Sequence, residues 1–126
     1  YTTLFRSAGP VRLQQVLVNI ISNAADAVEG REDRRIALQA AQQGQIVSVI
    51  IRDRGPGVPA AISERIFDPF FTTKGVGRGL GLGLSISYNI IKDFGGQLRV
   101  RNHEDGGAEF AIELPAAVWR MGVAAE

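Results

Sequence analysis

Three groups of residues in this chain have the types and spacing to do chemistry. Asn19 and Asn23 stand four positions apart, with Asp26 three further on. Asp53 precedes Arg54-Gly55-Pro56-Gly57. Five glycines fall at alternate positions from Gly75 to Gly83. Glycine at every second position cannot be a packed strand or helix; it makes a loop whose backbone N–H groups come close to a large anion. That loop runs directly into an amphipathic segment with Ser85 near its start, so a helix N-terminus faces the same place. A polyphosphate needs this combination, and nucleotide binding is the first reading.

Each group also has a plainer reading. At about 100° per residue, Asn23 lies about 40° from Asn19 and Asp26 about 20° to its other side, beside an apolar stripe at roughly 60–200°. Such a polar seam is often a solvated helix flank. Against this, asparagine is a poor interior helix former, and its side-chain oxygen suits a magnesium ion that keeps waters and phosphate ligands. Asp53 is either a turn former or a carboxylate that accepts a hydrogen bond from an exocyclic amine such as adenine carries, with Gly55 and Gly57 letting a flat base approach. Phe67, Phe70 and Phe71 are core aromatics or the anchors of a lid hinge, the latter favoured by the interruption at Asp68-Pro69. Lys74 and Arg78 are exposed loop cations or contacts to terminal phosphates. His103, beside Gly106-Gly107, reads as a surface hairpin residue.

Composition narrows the classes. Fourteen basic residues against 13 acidic give no electrostatic footprint for nucleic acid or an acidic membrane. The absence of cysteine excludes disulfides and thiolate metal sites and is compatible with cytosol. No apolar run approaches a bilayer span, and no signal-peptide pattern opens the chain, so direct membrane insertion is not expected. With 126 residues the chain fits one domain with a real core.

The elements that must position these residues follow from periodicity. Residues 1–8 show none and read as an edge strand or a truncation junction. Gly9-Pro10 reads as a helix start, followed by apolar residues at 13, 16, 17, 20, 24, 27 and 28 and a stop at Gly30. Ile36–Ala41 and Gln45–Asp53 read as strands joined at Gln43-Gly44, and Ala60–Ile66 as a short helix. A second long helix is expected from about Gly83 to Phe94, with Leu84, Tyr88, Ile91 and Phe94 buried and Gly95-Gly96 stopping it. Gln97–Asn102 and Ala108–Leu114 alternate apolar and charged residues, with opposite charges on their wet faces. The fold class is α/β (α+β): a two-layer sandwich, a mixed β-sheet with helices on one face. Residues 9–115 form the domain and residues 116–126 a tail in which Trp119 docks.

The ordered set resembles sensor histidine kinases. Arg12 to Ala27 is similar to their N box, Asp53 to Gly57 to the first glycine box, Phe67 to Lys74 to the F box, and Gly79 to Ser85 to the second glycine box. The resemblance covers about residues 9–115 and implies the Bergerat-type ATP-binding fold, with ATP and Mg2+ as cofactors. It implies that Asn23 ligates magnesium with Asn19 beside it, and that Asp53 meets the adenine amino group. The ATP-binding set it implies is Asn23, Asp53, Gly55, Gly57, Phe70, Thr72, Thr73, Gly79, Leu80, Gly81, Leu82, Gly83 and Leu84. Asn19, Lys74 and Arg78 would act at the phosphates. Asp26 departs from the pattern, standing where many members have a basic residue.

Family kinases move the γ-phosphoryl to a histidine on a separate dimerisation domain, and a response-regulator aspartate then receives it. No histidine here lies in a phosphoacceptor helix, so the acceptor is expected elsewhere. A cytoplasmic location is implied, with a parent protein that is in some cases membrane-anchored. The related ATPases carry Glu at position 19 as a general base; Asn takes no proton, which favours the kinase branch over hydrolysis. A nucleotide-responsive binding module without phosphotransfer is the alternative of another class.

Overall fold

The computed structural model describes residues 2–68 and 83–119, with side chains from Val11 onward. Helix α1 spans Thr2–Ala27, strand β1 Ala37–Gln43, strand β2 Ile46–Arg52, helix α2 Gly83–Asp93, strand β3 Gln97–Asn102 and strand β4 Ala108–Pro115. The four strands form one sheet in the order β1-β2-β4-β3. Every pairing is antiparallel, so among the described residues the sheet is not mixed as expected. Two hairpins supply the outer pairings, and the chain between them returns β4 against β2 in the opposite sense.

α1 is built on the expected stripe. Leu13, Val16, Ile20, Ala24 and Val28 are all buried, at spacings of three and four that keep them on one helix face. The helix begins earlier than its sequence suggests. Thr2–Ala8 is helical rather than an edge strand, and Gly9-Pro10 lies inside the helix although Pro10 gives no N–H to it and crowds the carbonyl one turn back. Gly30, at φ 77°, ends the turns that follow Ala27.

The sheet faces α1 and α2 with Val47, Val49 and Ile51 of β2, Leu98 and Val100 of β3, and Phe110, Ile112 and Leu114 of β4. Ile20, Ile51, Ile91, Ile112 and Leu114 lie at its centre with 1% exposure or less. Full burial of such a side chain contributes about 1.5–3 kcal/mol. The opposite face is wet: Arg101 pairs with Glu109 at 2.6 Å and Arg99 with Glu113 at 3.0 Å, the opposite-charge arrangement expected of these strands.

α2 closes as expected. Gly96 N–H donates to the Ile91 carbonyl and Gly95 N–H to that of Lys92, both at 2.9 Å, with Gly95 at φ 79°. Ile90, Ile91 and Phe94 are buried, while Leu84 and Tyr88 are only partly so. Arg12 of α1 ties the two helices, bonding Asp93 at 2.6 Å and lying 5.2 Å from the Phe94 ring centre.

Ala60–Ile66 is not a helix. Ile62 N–H bonds Pro59 O, Arg65 N–H bonds Ile62 O and Asp68 N–H bonds Arg65 O, at 3.0, 2.8 and 2.9 Å. These are successive three-residue turns, stepping on without an i,i+4 ladder. Beyond β4, Trp119 docks as expected: its Nε1 donates to the Val47 carbonyl at 3.0 Å.

Candidate functional site

The candidate site is assembled along one flank of α1, with the loop after β2 against its last turn and the start of α2 against the turn of Asn19. At the C-terminal end is the loop after β2. A side chain at Gly55 would come within 2.7 Å of the Ala27 carbonyl, so only glycine lets the loop lie against that turn. One helical turn back is Asn23, and one turn further Asn19. The Asn19 Nδ2 donates to Gly83 O and to Ser87 Oγ, both at 3.4 Å, so it meets the first turn of α2. Ser87 is fully buried. The Asn23 side chain is half-buried and has no hydrogen-bond partner among the described residues. Asp26, third of the seam, is exposed.

Asp53 sits at the end of β2 and is only 3% exposed. Its Oδ1 accepts from Gly55 N–H at 2.8 Å and from Ala108 N–H at 3.2 Å. Both bonds fall on one oxygen, which fixes the carboxylate and leaves Oδ2 uncommitted among the described residues. The buried carboxylate therefore has one oxygen committed to the fold and one able to accept a further hydrogen bond. Gly107 makes this possible: it has φ 90°, and any Cβ there would collide with the Asp53 carbonyl.

The rest of the loop is pinned by a residue the sequence reading did not single out. Asn102 Oδ1 accepts from Val58 N–H at 2.8 Å, and its Nδ2 donates to Val58 O at 2.6 Å. The side chain satisfies both backbone groups of Val58, as a neighbouring strand would. Gly57, at φ 80°, has Asn102 Oδ1 where a side chain would go. In the described structure, Gly55 and Gly57 thus serve close packing against Ala27 and Asn102. The only sequence signal for Asn102 was an asparagine at a strand end.

Phe67 stacks on Tyr88 of α2, with ring centres 5.1 Å apart. This aromatic pair holds the start of the Phe67–Lys74 segment against α2, and Leu84 packs partly buried on the core nearby. Phe70, Phe71, Thr72, Thr73, Lys74, Arg78, Gly79, Leu80, Gly81 and Leu82 lie outside the described residues. His103 is not the surface residue expected. Its side chain is 24% exposed and its Nε2 lies 2.7 Å from Glu109 Oε1, because the hairpin folds position 103 over β4. The Arg101 hydrogen bond, aided by His103, holds the Glu109 carboxyl below its ordinary value despite the opposing effect of burial.

Among the described residues no cluster of His, Cys, Asp or Glu could hold a metal ion. The donor set at Asn23 suits a different arrangement: one neutral oxygen that shares a hard cation with phosphate and water. No helix among the described residues is long and apolar enough to cross a membrane.

The family described as histidine kinase-, DNA gyrase B-, and HSP90-like ATPase matches residues 8–118. The C4-dicarboxylate transport sensor protein DctB of Pseudomonas aeruginosa is 42% identical over 123 residues, covering 97% of this chain and 20% of DctB. The nucleotide-free catalytic domain of the histidine kinase ThkA superposes with a TM-score of 0.73 at 39% identity, over 84% of this chain and 67% of that one. Full-length ShkA, solved in complex with AMPPNP, gives a TM-score of 0.67 at 37% identity, over 82% of this chain and 21% of that one. The chain spans between 12% and 24% of the length of the curated relatives it matches. It belongs to the histidine kinase-, DNA gyrase B-, and HSP90-like ATPase family, and within that family its relatives are sensor histidine kinases and its fold is that of their catalytic domains.

Proposed function

We propose that this chain binds ATP with Mg2+ along α1 and hands the γ-phosphoryl to a histidine on a separate dimerisation domain, from which a response-regulator aspartate receives it. The observation that carries the reading is the order of contacts on α1. The Asp53 loop lies at Ala27, Asn23 stands one turn away, and the first turn of α2 lies at Asn19. Ala27 and Asn19 are eight residues apart, about 12 Å along the axis. That length suits a nucleoside triphosphate laid along the helix, base at Asp53 and phosphates toward Gly83.

The roles follow from the chemistry of each group. Asp53 Oδ2 accepts a hydrogen bond from the adenine amine. Asn23 would hold the magnesium ion, which when bound supplies positive charge to the phosphate oxygens. The N-terminus of α2 presents backbone N–H groups and the positive end of its dipole to the same region. Asn19 is an amide that donates to Gly83 and Ser87, so it ties α2 to α1 and cannot take a proton from water. The γ-phosphoryl is thereby kept for an imidazole, with catalysis by positioning and charge neutralisation. On this reading the domain works in the cytoplasm, where ATP is available.

The test is incubation with a phosphoacceptor dimerisation domain and γ-labelled ATP. Acid-labile, base-stable label on the acceptor histidine is expected. Nucleotide binding without label would leave a binding module, and steady phosphate release by the isolated chain would indicate a hydrolase.

A further inference from the structure

Asn102 and Ala108 are partners in the last rung of the β3–β4 hairpin. Ala108 holds the start of the loop after β2. Asp53 N–H donates to its carbonyl at 3.0 Å, and its own N–H donates to Asp53 Oδ1 at 3.2 Å. Asn102 holds the far end of the same loop, through its two bonds to Val58 at 2.8 and 2.6 Å. One rung therefore grips positions 53 and 58, with Arg54-Gly55-Pro56-Gly57 as the arc between them.

The grip at Val58 has a local cause. Val58 precedes Pro59, which steers its backbone to an extended form whose N–H and C=O both open to one neighbour. The Asn102 amide matches that pair, acceptor to donor and donor to acceptor. Two glycines let loop and hairpin interlock. A Cβ at Gly57 would stand 2.8 Å from Asn102 Oδ1, and one at Gly107 would strike the Asp53 carbonyl and crowd Arg54 Cα. The Val58 side chain, so held, packs partly buried against the core.

A rung that fixes both ends of a loop fixes the opening between them. We propose that Asn102 is a specificity-determining positioning residue for the nucleobase; this rests on the reading that the base lies at Asp53. By holding Val58, Asn102 keeps the far wall of the base site at one distance from Asp53 Oδ2. The adenine amine then arrives in line with that oxygen. A hydrogen bond weakens steeply when misaligned, whereas the attraction of phosphate to charge falls off slowly with distance. Loss of the clamp therefore weakens recognition of the base and spares that of the phosphates. A role confined to holding the fold would not separate the two.

The test is calorimetric titration, with magnesium, of ATP, inosine triphosphate and inorganic tripolyphosphate. Inosine triphosphate carries a carbonyl where ATP carries the amine. In Asn102→Ala, ATP affinity is expected to fall about tenfold or more, and its margin over inosine triphosphate to shrink about fivefold or more. Tripolyphosphate affinity is expected to stay within about twofold. Asn102→Asp keeps an acceptor for Val58 N–H but sets a carboxylate oxygen against Val58 O, and is expected to show the same loss. In the unmodified chain without nucleotide, the Val58 amide is expected to exchange about a hundredfold more slowly than an open loop amide. Equal weakening of all three ligands, an unchanged ATP margin, or unprotected exchange at Val58 would overturn the role of Asn102. An unmodified chain that takes up no ATP would instead overturn the reading of the site on which that role rests.

Discussion

Ala108 N–H donates to the Asp53 carboxylate at 3.2 Å across 55 positions of sequence. This bond makes the start of β4 part of the wall behind the candidate base site. With the Gly55 N–H on the same oxygen, it leaves one direction in which Asp53 can still accept.

Replacing that carboxylate separates fold from ligand. Asp53→Asn keeps an acceptor for both amides, so folding stability in urea should stay within about 1 kcal/mol. ATP affinity should fall at least tenfold, which is about 1.4 kcal/mol, because the amide's NH2 meets the adenine amine donor to donor. Asp53→Ala leaves two amides unpaired and should also cost about 1–3 kcal/mol of folding free energy. Parallel denaturation and nucleotide titration of the two variants check both statements.

The glycine pair before β4 should respond unequally. Gly106 and Gly107 have φ 94° and 90°, but a side chain at Gly106 meets open space while one at Gly107 meets the Asp53 backbone. Gly106→Ala carries only backbone strain, about 1 kcal/mol. Gly107→Ala should cost clearly more in stability and should weaken ATP binding by displacing Asp53. Equal losses in the two variants would remove Gly107 from the site wall.

How far these relationships could be read in the sequence depended on their range. The α1 stripe, the stop at Gly95-Gly96 and the alternation of β3 and β4 are local periodicities, and the structure reproduces them. The carboxylate at position 53 could be picked out from the glycines beside it. Its dependence on Ala108 could not, because nothing near residue 53 encodes which strand lies alongside. The clamp of Asn102 on Val58 was hidden for the same reason, as two short side-chain bonds between residues 44 apart. The helical start at Thr2 was missed because Gly9-Pro10 reads locally as a boundary. The chain of turns after Pro59 was misread because one short apolar segment fits both descriptions.

Acid should loosen the β3–β4 hairpin through Glu109. Its carboxyl is held below the ordinary 4.5, mainly by the Arg101 hydrogen bond. A depressed folded value means the stabilisation is complete above the unfolded pKa, near 4.5, and is lost as pH falls through the lower folded value. Tm measured from pH 6 to pH 2.5 should therefore fall less steeply for Glu109→Gln than for the unmodified chain. Parallel curves would show that Glu109 is not linked to folding.

Asn23 should matter for the metal rather than the fold. Its side chain has no hydrogen-bond partner among the described residues, so Asn23→Ala should leave Tm within a few degrees. The gain in ATP affinity on adding magnesium should shrink at least tenfold in that variant. An undiminished magnesium effect would take Asn23 out of the site.

The most direct test is calorimetric titration of ATP into the folded chain with magnesium present. Saturable heat at one nucleotide per chain, weakened when a chelator removes the metal, is the predicted result. No heat at millimolar nucleotide, from material whose circular dichroism shows it folded, would contradict the account.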